Sequence, residues 1–247
     1  MTSDASHPTI DAPTPERVLA ISAHPDDSEL QAGGTLAKWA AAGAEVSIVV
    51  CTDGSKGTWD PTANLAELIA TRQREQADAA AALGATGSVG FCGWVDGELD
   101  HDRTNVRVLA EWIRRLRPSI VLTHDPWKRY RLHPDHRAAG FLVTDAVVAA
   151  RDPHFFPDMG LAHHRPDELW YFEADEANHL EFVEDFVETK IAALERHVSQ
   201  LESTMGFVDD DDSGRERWRE EIRERARTDG AQLGAGPAEV FARLSDL

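Results

Sequence analysis

The sequence is poor in cysteine and in basic residues. Only 2 of its 247 residues are Cys, which is too few for a disulfide framework or for a zinc site built from cysteines. Cys51 and Cys92 lie in apolar stretches and are expected to be buried thiols. Lys and Arg number 25 against 44 Asp and Glu, so the net charge is −19. This charge argues against nucleic acid or an anionic membrane as a partner.

Long apolar stretches are also missing. No run reaches the roughly 18 apolar residues that a spanning helix requires. The N-terminus, MTSDASHPTIDAPTPER, has neither the basic start nor the apolar segment of a signal peptide. We therefore expect no spanning helix, a disordered lead-in over residues 1–16 and a cytoplasmic protein.

Strand-like and helix-like patterns alternate along most of the chain. Short apolar runs rich in β-branched residues predict strands, and longer Ala-rich or amphipathic segments predict helices. This alternation predicts an α/β fold, Rossmann-like and doubly wound, with a mainly parallel sheet and helices on both faces. The predicted strands cover 17–23, 44–52, 87–94, 119–126 and 168–174, and the predicted helices cover 30–43, 65–85, 103–118, 133–152 and 183–203.

The composition changes near residue 204. Residues 17–203 are predicted to form one domain, and 204–247 are predicted to form an acidic linker and a helical C-terminal extension. The linker contains DDDDSG, and the stretch that follows it alternates Arg and Glu, as in an exposed helix with ion pairs between neighbouring turns. The last dozen residues are interpreted as one more short helix.

The stretch AISAHPDDSEL places two adjacent carboxylates directly after the first predicted strand. Two buried carboxylates at that spacing repel one another unless water or a cation lies between them. His24 and Asp27 supply ligand types suited to a divalent cation. Because neighbouring side chains diverge in an irregular turn, one of the two carboxylates can bind the cation while the other faces a metal-bound water.

A second polar motif, HPDH, opens the helix predicted to begin at residue 133. His133 and His136 are three residues apart, so they lie on one side of a helical turn. One of them can complete the metal site, and the other can approach a substrate oxygen. Asp135 is the expected partner for a histidine ring N–H, where it would raise the pKa of that ring.

These motifs resemble those of the LmbE-like (PIG-L) zinc-dependent N-acetylglucosaminyl de-N-acetylases, which include the deacetylase and the conjugate amidase of mycothiol metabolism. The resemblance covers roughly residues 17–203 and rests on AHPDD and HPDHRAAG, supported by TRQREQADAAAALGA, VDGEL and KIAALERHVSQ. It implies zinc ligands at His24, Asp27 and His136. It further implies that Asp26 is the general base, that His133 stabilises the oxyanion and that Asp135 orients His133.

Substrate contacts are assigned to two places. The resemblance implies that Arg72 binds substrate, although a surface ion pair involving its neighbours Arg74 and Glu75 is an equal alternative. The loop DPWKRYR at 125–131 lies between a strand and the metal-binding helix. Its aromatic and basic side chains are candidates to meet a sugar face or an anionic group, namely Trp127, Tyr130, Lys128, Arg129 and Arg131.

The function expected from the resemblance is hydrolytic removal of an acyl group, most simply acetyl, from the nitrogen of an amino-sugar compound. The alternatives are an amidase of cysteine–glucosaminyl thiol S-conjugates, a non-catalytic metal-containing sugar-binding module and a nucleotide-binding α/β protein. Zn²⁺ is the expected metal, and Fe²⁺ also suits two histidines and one carboxylate. The expected partner is a small N-acyl amino sugar, and a homo-oligomer is possible.

Overall fold

The structure is a computed structural model that describes residues 8–231 and 236–247. Its strands are β1 (Thr9–Ile10), β2 (Arg17–Ser22), β3 (Glu45–Thr52), β4 (Val89–Trp94), β5 (Ile120–His124), β6 (Glu168–Phe172), β7 (His179–Phe182) and β8 (Ala238–Ser245). Its α-helices are α1 (Asp27–Ala41), α2 (Leu65–Ala82), α3 (Arg103–Leu116), α4 (Pro134–Arg151), α5 (Val187–Leu194) and α6 (Asp212–Ala231).

The described strands form one mixed sheet in the order β1-β7-β8-β6-β5-β2-β3-β4. The pairs from β6 through β4 are parallel, and β1 is also parallel to β7, whereas β8 is antiparallel to both of its neighbours. The chain passes from β2 outward to β3 and β4, and then returns to place β5 on the other side of β2. The predicted α/β class with a mainly parallel sheet is confirmed.

Apolar side chains cover both faces of the sheet. On one face α3 and α4 pack through Leu109, Ile113 and Leu142. On the other face α1, α2 and α5 bury side chains that include Leu36 and Trp39. Buried strands in such a three-layer arrangement read as continuous apolar runs, because both of their faces meet helices. The helix α6 packs on α5 in a separate apolar cluster and also contacts the strand β8.

The end of the chain differs from its prediction. The predicted short terminal helix is wrong, because Ala238–Ser245 is the strand β8, inserted between β6 and β7. Its sequence, AEVFARLS, contains good helix formers. Pairing with two neighbouring strands outweighs that local preference. The division of the chain at residue 203 stays a prediction about domains.

Two further segments differ from their predictions. The helix predicted over 183–203 is shorter, because α5 covers only Val187–Leu194 and is flanked by single 3₁₀ turns. The predicted lead-in contains β1, which pairs with β7, while residues 1–7 lie outside the described residues. Within the described ranges, no helix combines the length and apolarity needed to cross a membrane.

Candidate metal-dependent active site

The two histidine motifs meet at the point where the strand order reverses. His24 follows β2 by two residues, and β2 pairs with β5 in the middle of the sheet. The connection after β5 leads directly into α4, which begins at Pro134 and carries His136 in its first turn. Because the loops after β2 and β5 run in opposite directions, a crevice forms between them.

Three side chains predicted to bind metal converge in this crevice. His24 Nδ1 lies 3.2 Å from His136 Nε2. The Asp27 carboxylate lies 3.3 Å from His24 Nδ1 through Oδ2 and 3.4 Å from His136 Nε2 through Oδ1. Ligands that bind one Zn²⁺ tetrahedrally at about 2.0–2.1 Å stand about 3.3 Å apart. The spacing of these atoms therefore fits a single ion of that size.

Other potential ligands surround these three. The described residues contain overlapping groups of side chains that could hold an ion: His24 with His133 and His136, Asp27 with His124 and His136, and His24 with Asp96 and Asp135. His124 Nε2 lies 3.3 Å from Asp27 Oδ2, and its Nδ1 lies 3.5 Å from Glu173 Oε2. A possible metal-binding cluster is therefore present, and the choice of ligands within it stays a prediction.

The charges in the cluster favour a cation. Buried or nearly buried carboxylates crowd this crevice, and the histidines compensate for them. Although burial opposes it, hydrogen bonds to Asp135 and Asp27 raise the pKa of His24 well above its usual value. Although burial again opposes it, the charges of His136 and His124 hold the pKa of Asp27 well below its usual value. The site thus stabilises positive charge among its acids.

Asp26 has an unusual backbone conformation. Its φ of 99° lies in the left-handed region, which a residue with a Cβ rarely adopts. It occupies the N-cap position of α1, yet its side chain makes no capping hydrogen bond. Two side chains of α2 hold this turn: Gln76 Oε1 accepts from the Asp26 N–H at 3.1 Å, and Arg72 Nη2 donates to the Pro25 carbonyl at 2.7 Å. The constrained turn leaves the Asp26 carboxylate free to face the crevice.

Arg72 also contacts the Asp26 side chain. Its Nη2 lies 3.3 Å from Asp26 Oδ2, and its Nη1 donates to the Gly54 carbonyl at 2.9 Å. Arg72 is buried, so the alternative of a surface ion pair is wrong. Glu75 instead accepts hydrogen bonds from Ser199. Burial raises the pKa of Asp26 to about 6, although the Arg72 guanidinium opposes the rise.

Asp135 does not make the contact predicted for it. Within the described part of the chain, its carboxylate accepts from the Gly97 N–H at 2.6 Å and the Leu99 N–H at 3.2 Å, and it lies 3.1 Å from His24 Nε2. It therefore orients His24 rather than His133, because it points inward from α4 while His133 lies outside the helix as its N-cap. The predicted rise in a histidine pKa therefore occurs at His24, whereas partial burial and the His24 charge lower the pKa of His133.

The crevice opens into a cavity of about 660 Å³. Its walls include Asp26, Arg72 and His133, and also Lys128 and Arg131 from the loop predicted to contact substrate. Lys128 pairs with Asp175, and Arg131 pairs with Glu173.

Trp127 is not among the residues that line this cavity. Its ring packs against Phe141 and Tyr171 and borders a separate shallow pocket. The structure thus places Arg72, Lys128 and Arg131 together and separates Trp127 from them. The Trp127 ring thus contacts α4 through Phe141 and does not line the cavity.

The sequence analysis did not identify His124 or Glu173 as site residues. His124 is the last residue of β5, and Glu173 directly follows β6. Asp96, which precedes a glycine as turn residues often do, is buried, and its Oδ1 lies 3.2 Å from His24 Nε2. All three residues lie at or just beyond the carboxyl end of a parallel strand, and that position was the available signal.

The fold and this cluster define an α/β protein with a candidate metal site beside a buried carboxylate. The sequence profile described as PIG-L, GlcNAc-PI de-N-acetylase, matches residues 19–147, more than half of the chain. The chain belongs to this family, which confirms the predicted resemblance.

Known relatives are deacetylases of amino-sugar compounds. The chain is 36% identical over 189 residues to diacetylchitobiose deacetylase of Thermococcus kodakarensis, covering 75% of this chain and 70% of that enzyme. It is also 36% identical over 165 residues to the 1D-myo-inositol 2-acetamido-2-deoxy-alpha-D-glucopyranoside deacetylase of Thermomonospora curvata. That match covers 57% of this chain and 55% of the relative, so the chain spans little more than half of that enzyme.

A solved structure shares the whole fold. N,N'-diacetylchitobiose deacetylase from Pyrococcus horikoshii, in complex with an inhibitor, superimposes with a TM-score of 0.84 at 31% sequence identity. The superposition covers 94% of this chain and 84% of that chain. The predicted hydrolase class, de-N-acetylation, is thereby confirmed at the level of the family.

Proposed function

We propose that this protein is a zinc-dependent de-N-acetylase that releases acetate from an N-acetylglucosaminyl compound. The observation that carries the proposal is the convergence of His24, Asp27 and His136 within 3.2–3.4 Å of one another, beside the buried Asp26. The relatives that share this fold act on diacetylchitobiose or on an acetylglucosaminyl inositol, according to their names. A cytoplasmic location stays a prediction from the sequence.

The donor set fits Zn²⁺. We assign His24 Nδ1, His136 Nε2 and the Asp27 carboxylate as ligands, since catalytic zinc sites use three protein ligands and keep one position open. His24 can offer the lone pair of Nδ1 because its Nε2 lies beside the carboxylates of Asp135 and Asp96. Fe²⁺ suits the same donors. When bound, the ion supplies an acidified water and a Lewis acid for the acyl carbonyl.

Asp26 is the general base in this proposal. Its carboxylate lines the cavity and makes no capping bond, so it can accept a proton from the attacking water. A pKa of about 6 suits this role, because a base works best when its pKa is near the working pH. The same carboxylic acid can then return the proton to the leaving amine nitrogen.

His133 is the proposed oxyanion donor. It lies at the N-cap of α4 on the cavity wall, with its ring centroid 4.5 Å from that of His24. Its lowered pKa favours the neutral ring, in which one nitrogen still carries a hydrogen that can be donated. Loss of one such donor typically reduces the rate by about 10²–10³. Arg72, Lys128 and Arg131 provide the remaining polar wall for substrate hydroxyl or acyl oxygens.

The test combines product release with metal analysis. Acetate and free amine should be released from N-acetylglucosamine, diacetylchitobiose or acetylglucosaminyl inositol, and a cysteine–glucosaminyl thiol S-conjugate tests the amidase alternative. Asp26→Asn should retain zinc and lose about 10²–10⁴ in rate, whereas His136→Ala should lose both zinc and rate. Asp78→Asn and His154→Ala, which alter exposed residues, are matched controls.

Each contrary result has a distinct meaning. If only the thiol S-conjugate is hydrolysed, the protein is an amidase of such conjugates and the proposed deacetylase activity is wrong. Zinc binding without turnover of any substrate would favour the non-catalytic sugar-binding module. A His136→Ala variant that still holds one zinc per chain would remove His136 from the ligand set.

A further inference from the structure

One large aromatic side chain on the cavity wall has no assigned role. Among the described residues, the exposed aromatic side chains are Trp59, Trp127 and Tyr130, with 77%, 60% and 94% of their surface accessible. Only Trp59 lines the cavity that contains the metal cluster. Trp127 packs against two other aromatic rings, whereas no ring contact of Trp59 is found within the described ranges.

The loop that carries Trp59 is anchored to α2 and to residues 200–203 before the tryptophan, and it forms a local turn after it. Before it, the Gly54 carbonyl accepts from Arg72, and the Gly57 carbonyl accepts from Gln200 at 3.1 Å and Ser203 at 3.2 Å. After it, Asp60 accepts from the Thr62 N–H at 2.8 Å. These bonds hold the backbone of the loop beside the cavity, and the indole lines the cavity there. An exposed indole beside a cavity is typical of a binding surface.

The chemistry of the surrounding wall indicates what the indole faces. Gln200, Ser203 and Thr204 line the same side of the cavity and offer hydroxyl and amide groups. A flat apolar face beside such groups suits a six-membered polyol ring, which has an apolar C–H face and a hydroxyl edge. The metal cluster and Asp26 lie on the connections after β2 and β5, whereas Trp59 lies on the connection after β3. We therefore assign the ring that meets Trp59 to the part of the substrate beyond the reacting sugar.

We propose that Trp59 forms a subsite for the second ring of the substrate. This inference rests on the proposed deacetylase function and adds the part of the substrate beyond the reacting sugar. The second ring is a sugar or a cyclitol joined to the N-acetylglucosaminyl unit, and it stacks on the indole through its C–H face. Trp59 is thus a specificity-determining residue that favours two-ring substrates over the free monosaccharide.

The experiment measures binding without turnover. The full chain carrying Asp26→Asn is loaded with Zn²⁺, and dissociation constants are measured by calorimetry for N-acetylglucosamine, diacetylchitobiose and acetylglucosaminyl inositol. The last two ligands separate a second sugar from a cyclitol. Trp59→Ala and Trp59→Phe are introduced into this background, and Trp127→Ala is the matched control because it removes an exposed indole outside the cavity.

The expected result is a two-ring ligand that binds more tightly than the monosaccharide. Trp59→Ala should reduce that preference about three- to tenfold, the range typical of one aromatic contact. Trp59→Phe should keep most of the preference, and Trp127→Ala should leave it unchanged. The ligand whose preference falls identifies the second ring as sugar or cyclitol.

Other results would overturn the inference. An unchanged preference in Trp59→Ala would remove Trp59 from the subsite while leaving the proposed deacetylase intact. An unchanged preference together with an altered oligomeric state, measured by light scattering, would assign the indole to a subunit contact instead. If none of the three ligands binds, the result would contradict the proposed function as well as the subsite.

Discussion

At the scale of single residues, Asp135 links the candidate metal site to the loop after β4. Its carboxylate receives the N–H groups of Gly97 and Leu99 and lies beside His24 Nε2. This contact favours the His24 tautomer with a hydrogen on Nε2, which leaves the Nδ1 lone pair facing Asp27 and His136. A carboxylate in such a position typically strengthens metal binding by orienting the ligand and raising its basicity.

Asp135→Asn is therefore expected to weaken zinc binding by about 10- to 100-fold. The amide has one acceptor oxygen in place of two, so it cannot serve both backbone N–H groups and the His24 ring equally. Competition with a chromophoric chelator measures the affinity. Asp152→Asn, at the other end of α4, removes a carboxylate that, among the described residues, accepts a hydrogen bond only from the His154 N–H, and it should leave zinc affinity within twofold. Equal affinities in the two variants would contradict the role given to Asp135.

The two histidine motifs can be identified from the sequence, but the residues that support them in the fold cannot. AHPDD and HPDH carry their chemistry within a few adjacent positions. Gln76 and His124, by contrast, reach the site only through the sheet order, which places β5 beside β2 and α2 against the turn at Asp26. The partner of Asp135 could not be predicted for the same reason, because Gly97 and Leu99 are distant in sequence and adjacent only in the fold.

At the scale of elements, β8 shows that the C-terminal segment completes the sheet. Phe241 is fully buried, and its ring centroid lies 5.3 Å from that of Trp170 on β6. Glu239 accepts from the N–H groups of Gly34 and Thr35 on α1 and pairs with Lys190 on α5. The strand thus ties three elements of the preceding chain together.

Phe241→Ala is expected to lower the free energy of unfolding by about 3–5 kcal/mol, the usual range for deleting a buried aromatic side chain. Chemical denaturation followed by circular dichroism measures this loss. Leu244→Ala, in the same strand but 39% exposed, is the matched control and should cost well under half as much. If both variants unfold like the unaltered protein, residues 204–247 are a dispensable extension, separate from the domain predicted over residues 17–203.

The helix α6 allows a prediction about pH. Burial raises the pKa of Asp229, although Arg225 and Lys190 oppose the rise. A carboxyl group with a raised pKa in the folded state favours folding at low pH, and that contribution is lost as pH rises above the pKa of the unfolded chain. Asp229 also lies in the last turn of α6, where the helix dipole disfavours negative charge.

Asp229→Asn is therefore expected to raise the melting temperature at pH 8, and the gain should shrink as pH falls toward 4.5. Melting curves of both proteins across this range measure the difference. Asp212→Asn is the matched control, because Asp212 lies in the first turn of the same helix, where a carboxylate is favourable. A gain for Asp229→Asn that does not change with pH would contradict the assigned cause.

At the scale of the whole molecule, the alternation of strands and helices predicted both the fold and the edge at which the site lies. Ligands of doubly wound sheets bind where the strand order reverses, at the carboxyl ends of the strands. The loops after β2, β3 and β5 meet at this edge, around His24 and His136. The strand order could not be predicted from the sequence, because β7 has only four residues and the sequence of β8 contains good helix formers.

Metal binding at this edge should stabilise the whole molecule. Carboxylates on four different connections crowd this edge, namely the buried Asp26 and Asp27 after β2, Asp96 after β4 and Asp135 after β5, and the half-buried Glu173 after β6. An ion that binds only the folded chain adds about 2.7 kcal/mol when its concentration is 100 times its dissociation constant. For a domain of this size, that free energy corresponds to a rise of about 5–10 °C in melting temperature.

Chelator treatment should lower the melting temperature by this amount, and Zn²⁺ should restore it. His136→Ala should abolish the zinc-dependent part, and Mg²⁺, which prefers an octahedral set of oxygen ligands, should not replace zinc. If neither chelator nor zinc changes the melting temperature, the loops after β2 and β5 do not share an ion.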